Sequence, residues 1–273
     1  MNLVKMNLYR FCRKIQVYVA MLFMVGITFF VVADARDESE SYKELQREIM
    51  EENISDDGQV YGLTVNVNDD YTIEQVISDL LSSQLLLVFI VIFVCSFVGD
   101  ERSHGFIKNL NACTNSKIQL FLSKIPVVAV YAALLEIGVV VGAFISGAKA
   151  LSISISELCI FLSLQWLLHV SFGVFALLLM ELVRNQLVGV VVGIASAVSI
   201  PTLIISTVTS RMPVINRYSG FEYSLVSPMI KMFNITINPD ILSMWPKALI
   251  SAMVLGISYA VLGSVSAKKR DLC

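Results

Sequence analysis

Six apolar runs punctuate the chain, roughly Ile15 to Ala33, Leu80 to Val98, Ile125 to Ile145, Leu158 to Met180, Leu187 to Val208 and Ala248 to Ala267. Each is close to the ~20 residues that a helix needs to cross ~30 Å of hydrocarbon. The pattern therefore predicts an all-α polytopic membrane protein with six transmembrane helices. An even number of spans puts both termini on one side. With the N-terminus inside, the inner segments collect Lys5, Arg10, Arg13, Lys14, Arg102, Lys108, Lys117, Lys124, Arg184 and the Lys268-Lys269-Arg270 tail, whereas the longer outer segments hold fewer basic residues. The positive-inside bias thus predicts cytoplasmic termini in a plasma (cytoplasmic) membrane.

The polar intervals carry patterns of their own. Residues 1–14 mix Leu3, Val4, Met6, Leu8, Tyr9 and Phe11 with Lys5, Arg10, Arg13 and Lys14, a basic amphipathic segment suited to an elbow helix on the inner membrane surface. Between the first two spans, residues 34–79 form an extracytoplasmic cap of mixed α/β structure. Tyr42, Leu45 and Ile49 recur at helical spacing and predict a short helix over Ser41 to Glu52. After Asp56-Asp57-Gly58, the alternation of Tyr61, Leu63, Val65 and Val67 with polar residues predicts a strand. Thr72-Ile73-Glu74-Gln75 has capping-box form and should start the helix entering the second span. The interval Gly99 to Lys124 is read as a cytoplasmic loop with helical pieces, in which Phe106, Ile107 and Leu110 oppose Lys108, Asn109 and Asn111. The aromatic, Met- and Pro-containing segment 209–247 suits an interfacial or re-entrant element.

Composition sharpens this outline. Of 273 residues, 56% are hydrophobic and the mean hydropathy is +0.74, well outside the range of soluble domains. The net charge is -2, but the 34–79 cap alone holds 14 acidic against 3 basic residues, so it carries -11 and the remainder +9. That remainder is the part expected to meet anionic lipid head groups. The acidic cap either draws cationic peptides to the outer surface by long-range attraction or serves as a solvated face that keeps it soluble. The five cysteines, Cys12, Cys95, Cys113, Cys159 and Cys273, are scattered and imply no disulfide framework. The first apolar run exceeds an ordinary signal-peptide core and is read as a retained helix.

Candidate chemistry is sparse. No Gly-x-x-x-x-Gly-Lys-Ser/Thr loop is present, so the chain has no P-loop of its own. His-Glu-x-x-His, Cys-x-x-Cys and Gly-x-Ser-x-Gly are also missing, which argues against a zinc site or a hydrolase elbow and leaves no metal or cofactor assigned to this chain. Ionisable residues inside spans are costly and usually face a bundle interior, which singles out Glu136 and His169. Gln165 lies one turn before His169 and shares its face. These three are candidates for a substrate pathway, with structural pairing the alternative for Glu136 and a hydrogen-bonded interior imidazole that for His169. Gly138-x-x-x-Gly142 and Gly189-x-x-x-Gly193 permit close helix approach, either within one subunit or between two. Pro201 predicts a kink or break in the fifth run.

Asp100-Glu101-Arg102, then Gly105-Phe106-Ile107-Lys108-Asn109, then Ser123-Lys124, set between the second and third of six apolar runs, resemble the first cytoplasmic loop of ABC-2 type transporter permeases, including ABCG-like exporters. With the elbow segment, the Pro-broken fifth run and the aromatic stretch before the sixth, the resemblance covers nearly the whole chain except the acidic cap, because the first outer loop of the plainest members is short. It implies that Asp100, Glu101, Arg102, Gly105, Phe106, Ile107, Lys108 and Asn109 form a coupling helix that docks on a separate ABC ATPase subunit, which binds the ATP and Mg. It also implies a second permease subunit, identical or not, and an alternating-access exporter of an amphipathic or antimicrobial peptide or another hydrophobic compound. Membrane lipids are the other expected partners, and nothing points to nucleic acid. Two other classes remain open on sequence grounds: a membrane sensor or assembly factor that uses the cap, and a polytopic membrane enzyme.

Overall fold

The computed structural model describes residues 3–52, 72–103, 116–147, 154–183, 185–198 and 241–269. Nine helices run through them: α1 (Leu3–Cys12), α2 (Ile15–Glu52), α3 (Ile73–Ser82), α4 (Leu85–Ser103), α5 (Lys117–Leu122), α6 (Ile125–Ile145), α7 (Ile155–Val183), α8 (Gln186–Ala197) and α9 (Ile241–Lys269). No strand occurs among the described residues. The strand expected over 61–67 lies outside them, as do the Pro201 break and residues 209–240.

Four stretches are long and apolar enough to cross a membrane: Ile15–Asp34, Lys117–Ile145, Ile155–Val183 and Leu249–Lys269. A fifth is added if the bent pair α3 and α4 counts as one span. The described residues are thus all-α, with helices long and apolar enough for a membrane protein. The fifth apolar run is described only as the 12-residue helix α8, about 18 Å at 1.5 Å per residue. Asn185 starts it, its side-chain oxygen accepting from the Leu187 and Val188 amides at 3.0 and 3.5 Å, as N-caps do.

Several boundaries move. The separate helix expected over Ser41 to Glu52 is instead the far part of α2, which runs without interruption for 38 residues. After Gly26 its sequence contains neither Gly nor Pro, and Ala, Glu, Lys, Leu, Gln, Arg and Met sustain helix beyond the apolar run. The second span, expected as one helix from Leu80 to Val98, is bent by 49° between α3 and α4. At the break Ser83 is extended, with φ -67° and ψ 148°. The Ser82 and Ser83 hydroxyls donate to the Ser78 and Leu80 carbonyls at 2.7 and 2.6 Å, occupying acceptors that the ending helix leaves without amides. The Thr72 signal holds: α3 begins at Ile73, and the Gln75 side chain accepts from the Thr72 amide at 3.1 Å.

Helix α4 also continues past Val98 through Gly99-Asp100-Glu101-Arg102-Ser103, so the first charged residues of the presumed loop are helical. Helix α6 matches its apolar run, with Pro126 in the first turn, where no intrahelical amide bond is lost. Residues 241–247, expected in the re-entrant segment, belong to α9, which carries Pro246 near its start.

Helix α7 is central, packing against α9, α4, α6 and α8, while α2 lies along α6. The glycine pairs serve packing within the chain. Gly138 faces Met21 and Met24, and Gly142 faces Thr28, where a Cβ would come within 2.7 Å of the Thr28 Cβ. Gly189 faces Met180 and Gly193 faces Val91, seating α8 on α7 and α4. On the outer side, Leu22, Phe30, Val191, Ile250 and Ile257 are exposed; such an apolar exterior is suited to lipid.

Candidate functional site

The residues singled out from the sequence fall into two places. At the first, the end of α4 meets α1, the start of α6 and α7. Phe11 anchors α1 there: it is buried, with its ring 5.6 Å from Phe93 at 89°. Phe93 stacks on Tyr131 at 4.0 Å, joining α4 to α6. Aromatic pairs of this kind add to the burial of their area.

On that anchor sits an ionic junction. Glu101 is fully buried; its Oε1 lies 2.5 Å from Arg10 Nη1 and its Oε2 2.6 Å from Lys124 Nζ. Lys124 is itself buried. Asp100 Oδ2 pairs with Lys14 Nζ at 2.6 Å, and Arg102 reaches Glu181 of α7 at 3.4 Å. The Phe97 ring carries both Arg10 and Lys14, at 5.0 and 5.2 Å from its centroid, a cation–π arrangement. Four cations thus meet three carboxylates, Glu101 serving both Arg10 and Lys124, so each charge taken from water faces an opposite one. Asn7 of α1 donates to the Ser123 hydroxyl at 2.9 Å, which donates on to the Leu120 carbonyl at 2.9 Å. Gln186 lies so close over Gly99 that a Cβ there would collide with it.

Asp100, Glu101 and Arg102, read from the sequence as part of a cytoplasmic loop with helical pieces, lie in the last turn of α4, and each is held by an oppositely charged partner. Arg10 and Lys14 of the basic N-terminal segment supply two of those partners. Gly105, Phe106, Ile107, Lys108 and Asn109 lie outside the described residues. The sequence signalled Lys124 through the Ser123-Lys124 step; the roles of Asn7, Arg10 and Lys14 had no local signal.

At the second place, Glu136 of α6 and His169 of α7 meet in the bundle interior, Glu136 Oε1 lying 2.7 Å from His169 Nδ1. Both are buried, as is Gln165 one turn away. Glu136 also lines a groove of about 330 Å³ between α6 and α7, with Ala133, Ile137, Val140, Leu162 and Trp166 among its walls. Trp166 ties the two helices together by donating its indole N–H to the Ala129 carbonyl at 2.9 Å. Among the described residues, no three His, Cys, Asp or Glu side chains converge as a metal site. The chemistry within reach is electrostatic: an ionic junction, and an acid–imidazole pair beside an apolar groove.

No protein-family model matches the chain, and no curated protein sequence matches it significantly.

Proposed function

We propose that this chain is the permease subunit of an ATP-binding-cassette exporter of the ABC-2 type, six-spanning in the plasma membrane with both termini inside. A separate ATPase subunit drives it and a second permease subunit completes it. Its cargo is an amphipathic or antimicrobial peptide or a similar hydrophobic compound. The observation that carries this reading is the closure of the 101–124 interval at its base. Glu101 at the end of α4 and Lys124 at the start of α6 pair directly, and Arg10 of α1 grips the same carboxylate. A loop closed in this way passes a push to two spans and the N-terminal helix together, because packed helices move as units. Asp100, Glu101 and Arg102 act as the inner footing of the coupling helix, and Gly105 to Asn109 form its docking surface.

The test is isolation of the tagged chain from its own cells in mild detergent, followed by reconstitution into nanodiscs. Expected is a stoichiometric P-loop subunit whose ATP hydrolysis rises severalfold with an amphipathic cationic peptide, a rise abolished by Phe106→Asp. A complex without hydrolysis, or hydrolysis indifferent to Phe106→Asp, removes the proposal.

A further inference from the structure

The groove between α6 and α7 has features that packing alone does not require. Its walls are apolar, yet Glu136 stands in its floor, roughly midway along α6 and so near the depth at which a charge is most costly in hydrocarbon. The His169 contact uses Oε1, one of the two carboxylate oxygens. Ser163 lines the same groove, its hydroxyl proton donated to the Cys159 carbonyl at 2.7 Å, which leaves its oxygen with acceptor capacity only. Trp166 supplies an indole at the rim. A carboxylate, an acceptor oxygen and an aromatic ring are together the set that suits a cation.

Size narrows the ligand further. At about 330 Å³ the groove sits at the low end of the ~300–1,000 Å³ typical of small-molecule sites. Ile137, Val141 and Trp166 are partly exposed on the outer side of the bundle, so entry is from the hydrocarbon.

We propose that this groove binds a lipophilic monocation, a protonated amine on an apolar body, with Glu136 as its counter-charge and His169 as the positioning residue that fixes the carboxylate. The site lies within one chain and needs no ATPase, so its failure leaves the exporter reading standing, and the converse holds.

The experiment uses the full chain in nanodiscs with a diazirine-bearing dodecylammonium probe, and the alcohol and carboxylate of the same chain length as competitors. Expected is labelling confined to the groove-facing peptides around 133–141 and 162–166. The alcohol should compete at least tenfold more weakly than unlabelled dodecylammonium, and the carboxylate not at all. Glu136→Gln should reduce labelling by the ammonium probe at least tenfold. Ala133→Leu, which fills the groove and keeps the acid, should block labelling and decides the matter if Glu136→Gln fails to fold. Equal competition by the alcohol, labelling undiminished in a folded Glu136→Gln or Ala133→Leu chain, or cross-links between two copies in place of probe adducts would overturn the proposal.

Discussion

Removing the Glu101 carboxylate should be the most damaging single change at the inner junction. The Glu101 side chain has no solvent exposure and that of Lys124 only 3%, whereas that of Arg10 keeps 21%. Glu101→Ala leaves two cations facing each other, one of them almost wholly buried. Breaking a buried pair by deleting one partner costs about 3–5 kcal/mol, and two stranded partners place this variant at the upper end. Lys124→Met should cost about 3 kcal/mol or less, because Glu101 keeps Arg10. Arg10→Met should cost least, its site being reached by water. The triple replacement Arg10→Met, Glu101→Leu, Lys124→Met should recover most of the loss, since an apolar set of similar volume avoids desolvation altogether. Cys95, fully buried in α4, provides the assay: with the other four cysteines changed to Ser, its reaction with a fluorogenic maleimide on heating in detergent reports unfolding. At about 2–4 °C per kcal/mol, Glu101→Ala should lower the midpoint by about 8 °C or more. A shift under about 2 °C, or a triple variant no better than Glu101→Ala alone, would refute the idea that a desolvated carboxylate holds the junction.

Gly142→Val should destabilise by about 1–3 kcal/mol through overpacking against Thr28, and Thr28→Ala should restore part of the loss; thermal unfolding of the pair decides. Ser171 donates to the Ala252 carbonyl at 2.8 Å across α7 and α9, so Ser171→Ala should cost about 0.6 kcal/mol, the usual size of such bonds between membrane helices; a loss above about 2 kcal/mol would mean the hydroxyl does more. Under native conditions Cys12 and Cys159, both exposed, should react with maleimide while Cys95 does not. In sealed vesicles an impermeant reagent should reach Cys12 and Cys113 from the inner face only, and labelling of either from outside would reverse the proposed topology.

Much of the frame was legible because spans announce themselves. Lys124 and Ser146 bracket an apolar run in which Glu136 is the one charged residue, and α6 occupies it to the residue. Polarity was a poor guide to where helices stop. The change from Val32-Ala33 to Asp34 marks where hydrocarbon could end, but a helix ends at a breaker or a cap, and α2 meets neither before Glu52. The bend at Ser83-Gln84 was hidden because serines that accommodate it also sit in straight helices. Glu101 looked like a loop residue because its partners lie far off in sequence, Arg10 being 91 positions away. Glu136 and His169 were conspicuous as lone ionisable groups in apolar runs. That they pair was beyond the sequence, since the contact depends on how α6 and α7 lie against each other over a separation of 33 residues.

The uninterrupted course of α2 has a mechanical corollary. Thirty-eight residues make a rod of about 57 Å, nearly twice the ~30 Å thickness of a hydrocarbon layer, and its part beyond Ala33 carries eight carboxylates and three cations. Its lower part is seated on α6 at Gly138 and Gly142. A tilt of about 10° at that seat moves the Glu52 end, about 40 Å away, through about 7 Å, which turns a small slip between two packed helices into a larger displacement of negative charge.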